Sequence, residues 1–302
     1  MTHAPRDHRR RARARRRWRP GALLWVTALA AVAAASTLAY SPAASWLAAY
    51  NQSQIVADYA DSLAHLTPEP AEQIVAARAY NDALSSGALL DANANVPVGD
   101  GASAGFALDY ADLLATPSGV MSRIQIPSID VDLPVFHGTS EQTLMRGAGH
   151  LQGTSLPVGG IDGHSVITAH RGLAQATMFT RLDEVRIGDM FTLTTVGEVF
   201  SYRVVDTRVV APDDTATIRP EAGRDLVTLV TCTPLGINSH RILVTGERVL
   251  PVPDTQLRLA DSPPEVGFPW WLVLYLAALA AIGVYLWRAG WVPARSARDE
   301  VG

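Results

Sequence analysis

Three residues of this chain have the side chains needed for acyl transfer through a thioester. Cys232 is the only cysteine among 302 residues, His170 lies 62 positions before it, and Arg241 lies nine positions after it. A thiolate is a strong nucleophile, an imidazole can accept its proton and later protonate a leaving amine, and a guanidinium can donate hydrogen bonds to a developing oxyanion. A lone residue of any of these types more often has a structural or surface role, so the hypothesis depends on the elements that carry them.

Those elements are predicted to be strands. Residues 225–232 (DLVTLVTC) are rich in β-branched and aliphatic side chains, which favours a strand. Pro234 and Gly236 then interrupt the pattern, and a second strand is predicted over residues 241–249. This hairpin would place the thiol and the guanidinium at facing strand ends. A third strand, over residues 164–170, would end at the candidate base.

The rest of the chain predicts a mostly β domain that follows a helical extension. Further short strands are predicted at residues 123–127, 131–136, 190–196 and 200–211. Many short strands separated by turn residues are typical of a closed or nearly closed β-barrel. Helices are predicted earlier in the chain, at residues 45–66 and 68–84, where Thr67 is a plausible N-cap and Pro68 fits the first helical position.

Three segments resemble the class C, pilus-assembling sortases. They are residues 124–160 (IQIPSIDVDLPVFHGTSEQTLMRGAGHLQGTSLPVGG), 164–173 (HSVITAHRGL) and 226–248 (LVTLVTCTPLGINSHRILVTGER), which contain TLVTC and an arginine nine positions later. The resemblance covers roughly residues 45–250. It implies a closed eight-stranded sortase barrel over residues 121–250, with Cys232 as nucleophile, His170 as general acid and base, and Arg241 as the group that stabilises the oxyanion and positions substrate.

The resemblance also implies a substrate and an acceptor. Sortases cleave a Leu-Pro-x-Thr-Gly type of sorting signal between Thr and Gly, and the pilus-assembling class transfers the resulting thioester to a lysine amine of the next pilin. Thr231 and Thr168 are candidates for lining the substrate groove, although Thr231 fits an ordinary strand position equally well. Other possibilities are attachment of surface proteins to cell-wall peptide amines, hydrolysis by water, and an inactive scaffold that binds sorting signals. No cofactor is implied.

The sequence departs from the family pattern at two places. Relatives often have glycine before the catalytic histidine, where this chain has Ala169. Many pilus-type members also carry a lid with an Asp-Pro-aromatic motif, whose nearest counterpart here is Val96, Pro97 and Val98. This tripeptide has neither a carboxylate nor a ring, so it cannot pair with a guanidinium or cover a thiol as that motif does. The segment is equally compatible with a flexible linker.

The two ends of the chain predict membrane attachment. Residues 1–20 form an arginine-rich tail, residues 21–40 and 268–287 are uncharged, and residues 288–302 carry three arginines. Twenty helical residues cross about 30 Å, and flanking arginines favour the cytoplasm. Both termini are therefore predicted to be cytoplasmic. The exterior part comprises a helical extension with the lid-region loop (residues 41–120), the barrel, and a proline-rich spacer (residues 251–267). Residues 21–40 also fit a cleaved secretory signal.

The charge of the exterior part limits its partners. The chain has no lysine, and residues 41–267 contain 13 arginines and 26 acidic residues, a net charge near −13. This balance argues against nucleic-acid binding and favours a basic partner, such as a lysine-bearing pilin acceptor, although an acidic surface also simply aids solubility. The sequence has no His-x-x-x-His or Cys-x-x-Cys spacing, so no metal site is predicted.

Overall fold

The structure is a computed structural model that describes residues 16–84, 109–214 and 216–293. It divides into two compact units, one formed by residues 1–43 and 268–302 and the other by residues 44–267. The helices are α1 (Ala22–Ser62), α2 (Pro70–Ala83), α3 (Glu141–Leu144), α4 (Asp254–Ala260) and α5 (Trp270–Ala289). The strands are β1 (Arg16–Trp18), β2 (Val120–Ile126), β3 (Val131–His137), β4 (Ala148–His150), β5 (Gly163–Thr168), β6 (Met190–Thr195), β7 (Glu198–Val210), β8 (Asp225–Thr233), β9 (His240–Arg248) and β10 (Trp291–Pro293).

The first unit contains apolar helices with little protein around them. Ala22–His65 and Trp270–Ala289 are both long and apolar enough to cross a membrane. Helix α5 buries none of its side chains, and Trp270 and Trp287 are both mostly exposed. Within this unit the Ser36 and Tyr275 hydroxyls lie 3.0 Å apart, and β1 pairs with β10 in antiparallel register. Apolar surface of this extent is suited to lipid rather than water.

Helix α1 is longer than the sequence predicts. It continues through Pro42 as one helix of 41 residues, whereas the sequence indicates separate apolar and helical segments over residues 21–40 and 45–66. Proline removes one backbone donor from a helix interior. The alanine-rich residues on both sides have high helix propensity, and the helix continues across this position.

The second unit is built on a closed eight-stranded barrel, which confirms the predicted fold class. The strand order is β2-β3-β4-β5-β8-β9-β7-β6, and β6 pairs back to β2. Neighbouring strands are parallel in two pairs, β3 with β4 and β5 with β8, and antiparallel in the others. Closure leaves no free sheet edge. The interior is filled by apolar side chains that include Phe179, Phe191, Phe200 and Tyr202.

Among the eight strands of the barrel, β4 is the one that the sequence does not predict. It has only three residues, and the glycines in this part of the sequence favour a turn. The glycines are needed for close packing: a Cβ at Gly147 would lie 2.5 Å from the Pro134 carbonyl oxygen, and one at Gly149 would collide with the Gly138 carbonyl. The strand exists because it pairs with β3 on one side and β5 on the other.

The helical extension is attached to the barrel by apolar packing and by hydrogen bonds to its loops. Ile74, Ala77 and Tyr80 of α2 belong to the same buried cluster as the barrel interior. The Asn81 side chain accepts from the Leu156 amide at 2.7 Å and donates to its carbonyl at 3.1 Å. These contacts make α2 part of the folded domain that carries the candidate site.

The segment predicted as a spacer contains a helix that is bonded to the barrel. Arg123 of β2 makes two hydrogen bonds with Asp132, at 2.7 and 2.6 Å, and donates to the carbonyls of Ala260 and Ser262 at 3.1 and 2.9 Å. Arg123 therefore joins β2, β3 and the C-terminal end of α4. The sequence indicates only proline-rich chain here because α4 is short and its main partner lies far away in sequence.

Candidate active site

The predicted nucleophile lies near the end of β8, on the outer face of the barrel wall. Side chains alternate along this strand: Val227 and Leu229 belong to the barrel interior, whereas Val230 belongs to a separate outer cluster. Cys232 is two residues beyond Val230 and therefore shares the outer face. Its thiol is half-buried and is not part of a disulfide.

Arg241 is directly opposite Cys232. Strands β8 and β9 are antiparallel, and their register pairs these two residues. Directly opposed residues have their side chains on the same face of a sheet. The Arg241 Nη1 donates to the carbonyls of Asn238 and His240, at 2.9 and 3.1 Å. Within the described part of the chain, its Nε and Nη2 have no recorded protein acceptor, so they remain available to a bound substrate.

His170 is at the same level as Cys232 on the other side of β8. Strands β5 and β8 run parallel with a constant register that ends at Thr168 opposite Val230. When this register is extended by two residues along each segment, His170 is level with Cys232 and faces the same side. The imidazole is 15% exposed, and its Nε2 lies 3.4 Å from the Glu141 Oε1, which is within ion-pair distance without forming an aligned hydrogen bond.

The outer face beneath these residues is packed and hydrogen-bonded. A small apolar cluster lies there, consisting of Leu151, Val166, Ile218, Val230 and Leu243. Below it, His164 donates from Nδ1 to the Arg219 carbonyl at 2.9 Å and accepts at Nε2 from the Thr228 hydroxyl at 2.7 Å. Thr228 is in turn 2.8 Å from the Thr245 hydroxyl. Burial lowers the pKa of His164, so the imidazole is a neutral structural group here.

Two other histidines are structural members of a buried network. The Tyr110 hydroxyl lies 2.9 Å from the His150 Nδ1, and the His150 Nε2 donates to the Ser155 carbonyl at 2.9 Å. Burial lowers the pKa of His150 to about 4 and also lowers the pKa of His137, which donates to the Leu113 carbonyl. Among the described residues, no group of three or more His, Cys, Asp or Glu side chains is arranged to hold a metal ion.

The remaining predicted site residues differ in their positions. Thr231 is fully buried, and its hydroxyl donates to the Ala169 carbonyl at 2.8 Å, so it joins β8 to the segment before His170 instead of lining an open groove. Thr168 is half-buried, and its hydroxyl oxygen is enclosed without a hydrogen-bond partner in the described residues. Val96, Pro97 and Val98 lie outside the described residues.

Arg171 is a residue near the site that sequence reasoning does not find. It follows His170 directly, and its guanidinium contacts Thr233, Thr180 and Asp183. Its only signal in the sequence is its position next to the candidate base. Its partners are 9, 12 and 62 residues away, at separations that no local pattern connects.

Comparisons with known proteins identify the family to which this barrel belongs. Residues 124–249 match the model of the Sortase domain family. Sortase C-1 of Actinomyces oris is 47% identical, with a TM-score of 0.54, over 60% of this chain and 98% of that structure. Sortase C of Streptococcus pneumoniae is 37% identical, with a TM-score of 0.57, over 65% and 96% of the two chains.

Curated relatives match over a shorter part. Sortase D of Bacillus subtilis is 32% identical over 129 residues, which are 42% of this chain and 62% of the relative. Sortase A of Bacillus anthracis is 28% identical over 130 residues, or 43% and 60% of the two proteins. The match thus covers less than two thirds of the length of these curated relatives. The barrel, the family match over residues 124–249 and the similarity over 98% of a solved sortase structure all agree. We therefore conclude that the chain belongs to the sortase family.

Proposed function

We propose that this chain is a membrane-anchored cysteine transpeptidase that joins pilin subunits. The observation that carries the proposal is the row of His170, Cys232 and Arg241, with Cys232 and Arg241 paired on β8 and β9 and His170 two residues beyond the end of β5. A nucleophile, a proton carrier and an oxyanion donor at one level are what acyl transfer through a thioester requires.

The proposed reaction has two acyl-transfer steps. The Cys232 thiolate attacks the carbonyl carbon of the Thr–Gly bond in a sorting signal, and Arg241 stabilises the oxyanion. The C–N bond breaks, His170 protonates the leaving glycine amine, and a thioester remains. A lysine amine of a second subunit then attacks the thioester and loses its proton to His170, and the thiolate leaves. One amide bond replaces another, so no redox partner or cofactor is needed.

The pilin assignment is supported by similarity and by charge. The similar structures include a Streptococcus pneumoniae sortase C described in terms of pilin substrate specificity and a sortase C2 from a group B streptococcal pilus island. The acidic exterior part, with a net charge near −13, favours a basic acceptor surface. The chain has no lysine of its own to act as a competing acceptor.

The proposed location follows from the two apolar helices. Each is long enough to cross a membrane, and both are flanked by arginines on the side away from the catalytic barrel. The positive-inside rule then places both termini in the cytoplasm and the barrel outside the cell. Sorting signals on exported proteins would be accessible to Cys232 in this orientation.

Mass spectrometry of the full chain in detergent or nanodiscs tests the proposal. We expect a sorting-signal peptide to leave a thioacyl adduct on Cys232 and a lysine-bearing pilin fragment to convert it into an isopeptide. Cys232→Ala should abolish the adduct, and Arg241→Lys should slow its formation about 100-fold because the planar fork of donors is lost. An adduct released only by cell-wall peptide amines would assign surface-protein anchoring instead. Release by water alone would assign a hydrolase, and no adduct under any condition would assign a scaffold.

A further inference from the structure

Arg171 is almost completely enclosed and uses all three of its nitrogens. Its side chain is 10% exposed. Nε donates to the Thr180 carbonyl at 3.1 Å, Nη1 to the Thr233 hydroxyl at 2.8 Å, and Nη2 to the Asp183 carboxylate at 2.7 Å. A guanidinium held at three atoms has a fixed plane, and this geometry cannot be reproduced by a lysine.

Its contact with Thr233 completes a pair of cross-links around the candidate catalytic residues. Ala169 and Arg171 flank His170 in the chain, and Thr231 and Thr233 flank Cys232. The Thr231 hydroxyl donates to the Ala169 carbonyl on one side, and Arg171 donates to the Thr233 hydroxyl on the other, each at 2.8 Å. One hydrogen bond therefore joins the residues that precede the base and the nucleophile, and another joins the residues that follow them.

The second cross-link lies where the sheet no longer holds the two segments together. The ladder between β5 and β8 ends at Thr168 and Val230, followed by one more main-chain bond from the Ala169 amide to the Val230 carbonyl. Beyond this bond, the described residues contain no main-chain hydrogen bond between the His170 segment and β8. The guanidinium of Arg171 thus replaces the missing ladder with a side-chain bond.

The segment that follows His170 is folded back to hold this guanidinium in place. The Phe179 amide donates to the His170 carbonyl at 3.0 Å, and the Gly172 amide donates to the Thr180 hydroxyl at 3.1 Å. Gly172 has a positive φ of 74°, and a Cβ there would collide with Leu235, the second residue after Thr233. The two segments are therefore in close contact just beyond the bond from Arg171.

We propose that Arg171, held by Asp183, is a positioning residue that fixes the separation of His170 and Cys232 through Thr233. It acts through these neighbours, since its three recorded acceptors lie on Thr180, Thr233 and Asp183. The inference rests on the proposed function, because it assigns a role relative to the proposed nucleophile and base.

Kinetics of four variants of the full chain test this role. Arg171→Lys and Thr233→Val should each lower kcat about 10- to 100-fold with KM changed less than about threefold, because small displacements of reacting groups have effects of this size. Thr233→Ser keeps the hydroxyl and should restore activity. The double variant that combines Arg171→Lys with Thr233→Val should have a kcat no lower than that of the slower single variant, because the two substitutions remove the same bond.

Arg181→Lys is the matched control. Arg181 lies in the same segment between β5 and β6 and also contacts carboxylates, those of Glu184 and Asp130, but it is 41% exposed, and its side-chain hydrogen bonds within the described residues do not reach β8. This variant should keep wild-type kcat. The melting temperature of each variant, measured in parallel, separates lost positioning from lost folding, and Thr233→Val provides the test if Arg171→Lys does not fold.

Two results would overturn the inference: wild-type kcat in the folded Thr233→Val variant, or a loss of activity in Thr233→Ser as large as in Thr233→Val. Parallel assays of Cys232→Ala and His170→Ala distinguish this failure from failure of the proposed function. If those two variants are inactive while the Arg171 and Thr233 variants are normal, only the positioning role is wrong. If Cys232→Ala remains active, the proposed function itself is wrong.

Discussion

At the scale of single residues, the histidines differ in exposure. His170 belongs to the candidate site, whereas His150 and His164 have structural roles. His170 reaches the level of the thiol beyond the end of β5, where its imidazole remains partly exposed. His150 and His164 are instead buried and hydrogen-bonded to backbone carbonyls. Burial disfavours the charged imidazolium, so these two side chains serve the fold in their neutral form.

Acid should therefore destabilise the fold through His150. Its pKa is lowered to about 4, whereas an unfolded histidine has a pKa of about 6.5. Between these values the unfolded chain binds a proton that the folded chain excludes, so the free energy of unfolding falls as pH falls through this window and is unaffected by this group above it. Across the whole window, this difference in the pKa of His150 lowers the free energy of unfolding by about 3 kcal/mol. Urea denaturation of the full chain in detergent at pH 7 and pH 4.5 measures it.

His150→Gln should weaken this pH dependence, because the amide does not titrate. Tyr110→Phe is the control: it removes the hydroxyl at the His150 Nδ1 and should lower stability by about 1 kcal/mol at both pH values. An unchanged slope in His150→Gln would show that other groups cause the acid sensitivity.

At the scale of elements, the site depends on two different strand pairings. The hairpin of β8 and β9 brings Arg241 to Cys232, and the parallel pairing of β5 with β8 brings His170. The remaining elements keep this wall in place. One of the clearest such connections is Arg123, which links β2 and β3 to α4 through a nearly buried ion pair and two carbonyl acceptors.

Arg123→Ala should lower the free energy of unfolding by about 3 kcal/mol, because it leaves a half-buried Asp132 unpaired and removes the contacts to α4. Proteolysis should also become faster at α4. Arg208→Ala is the matched control: Arg208 forms an ion pair with Asp206 at 2.6 Å, but both side chains are exposed, so the loss should stay below about 1 kcal/mol. Equal losses in the two variants would contradict this difference.

The sequence predicts the elements with strong local patterns and misses those that depend on distant partners. The strands that carry Cys232 and Arg241 are apolar, β-branched and bounded by turn residues, so their pairing is foreseeable. Strand β4 has three residues and becomes a strand only through its neighbours. Arg171 is not foreseeable because its bond to Thr233 spans 62 residues. The sequence leaves Thr231 equally compatible with a groove and with an ordinary strand position, because a strand's sequence does not show which face is buried at its end.

At the scale of the whole molecule, the single cysteine is a natural topology marker. We expect a membrane-impermeant maleimide to label Cys232 in intact cells, because in the proposed orientation, inferred from the flanking arginines, the barrel lies outside. A cysteine introduced as Ser296→Cys on the Cys232→Ala background should react only after permeabilisation. Labelling of the tail in intact cells, or of Cys232 only in permeabilised cells, would contradict the proposed orientation.

The parallel pairing of β5 with β8 also determines when His170 comes close to the Cys232 thiol during folding. Arg241 comes from the adjacent strand of a hairpin, whereas His170 is 62 residues away and is separated from Cys232 by β6 and β7. Contacts between such distant segments carry a larger loop-closure cost and slow the folding of domains that depend on them. A chain that reaches the outer side of the membrane unfolded, as the proposed orientation requires, therefore has a thiol without its candidate base. The row of His170, Cys232 and Arg241 forms only together with the closed barrel.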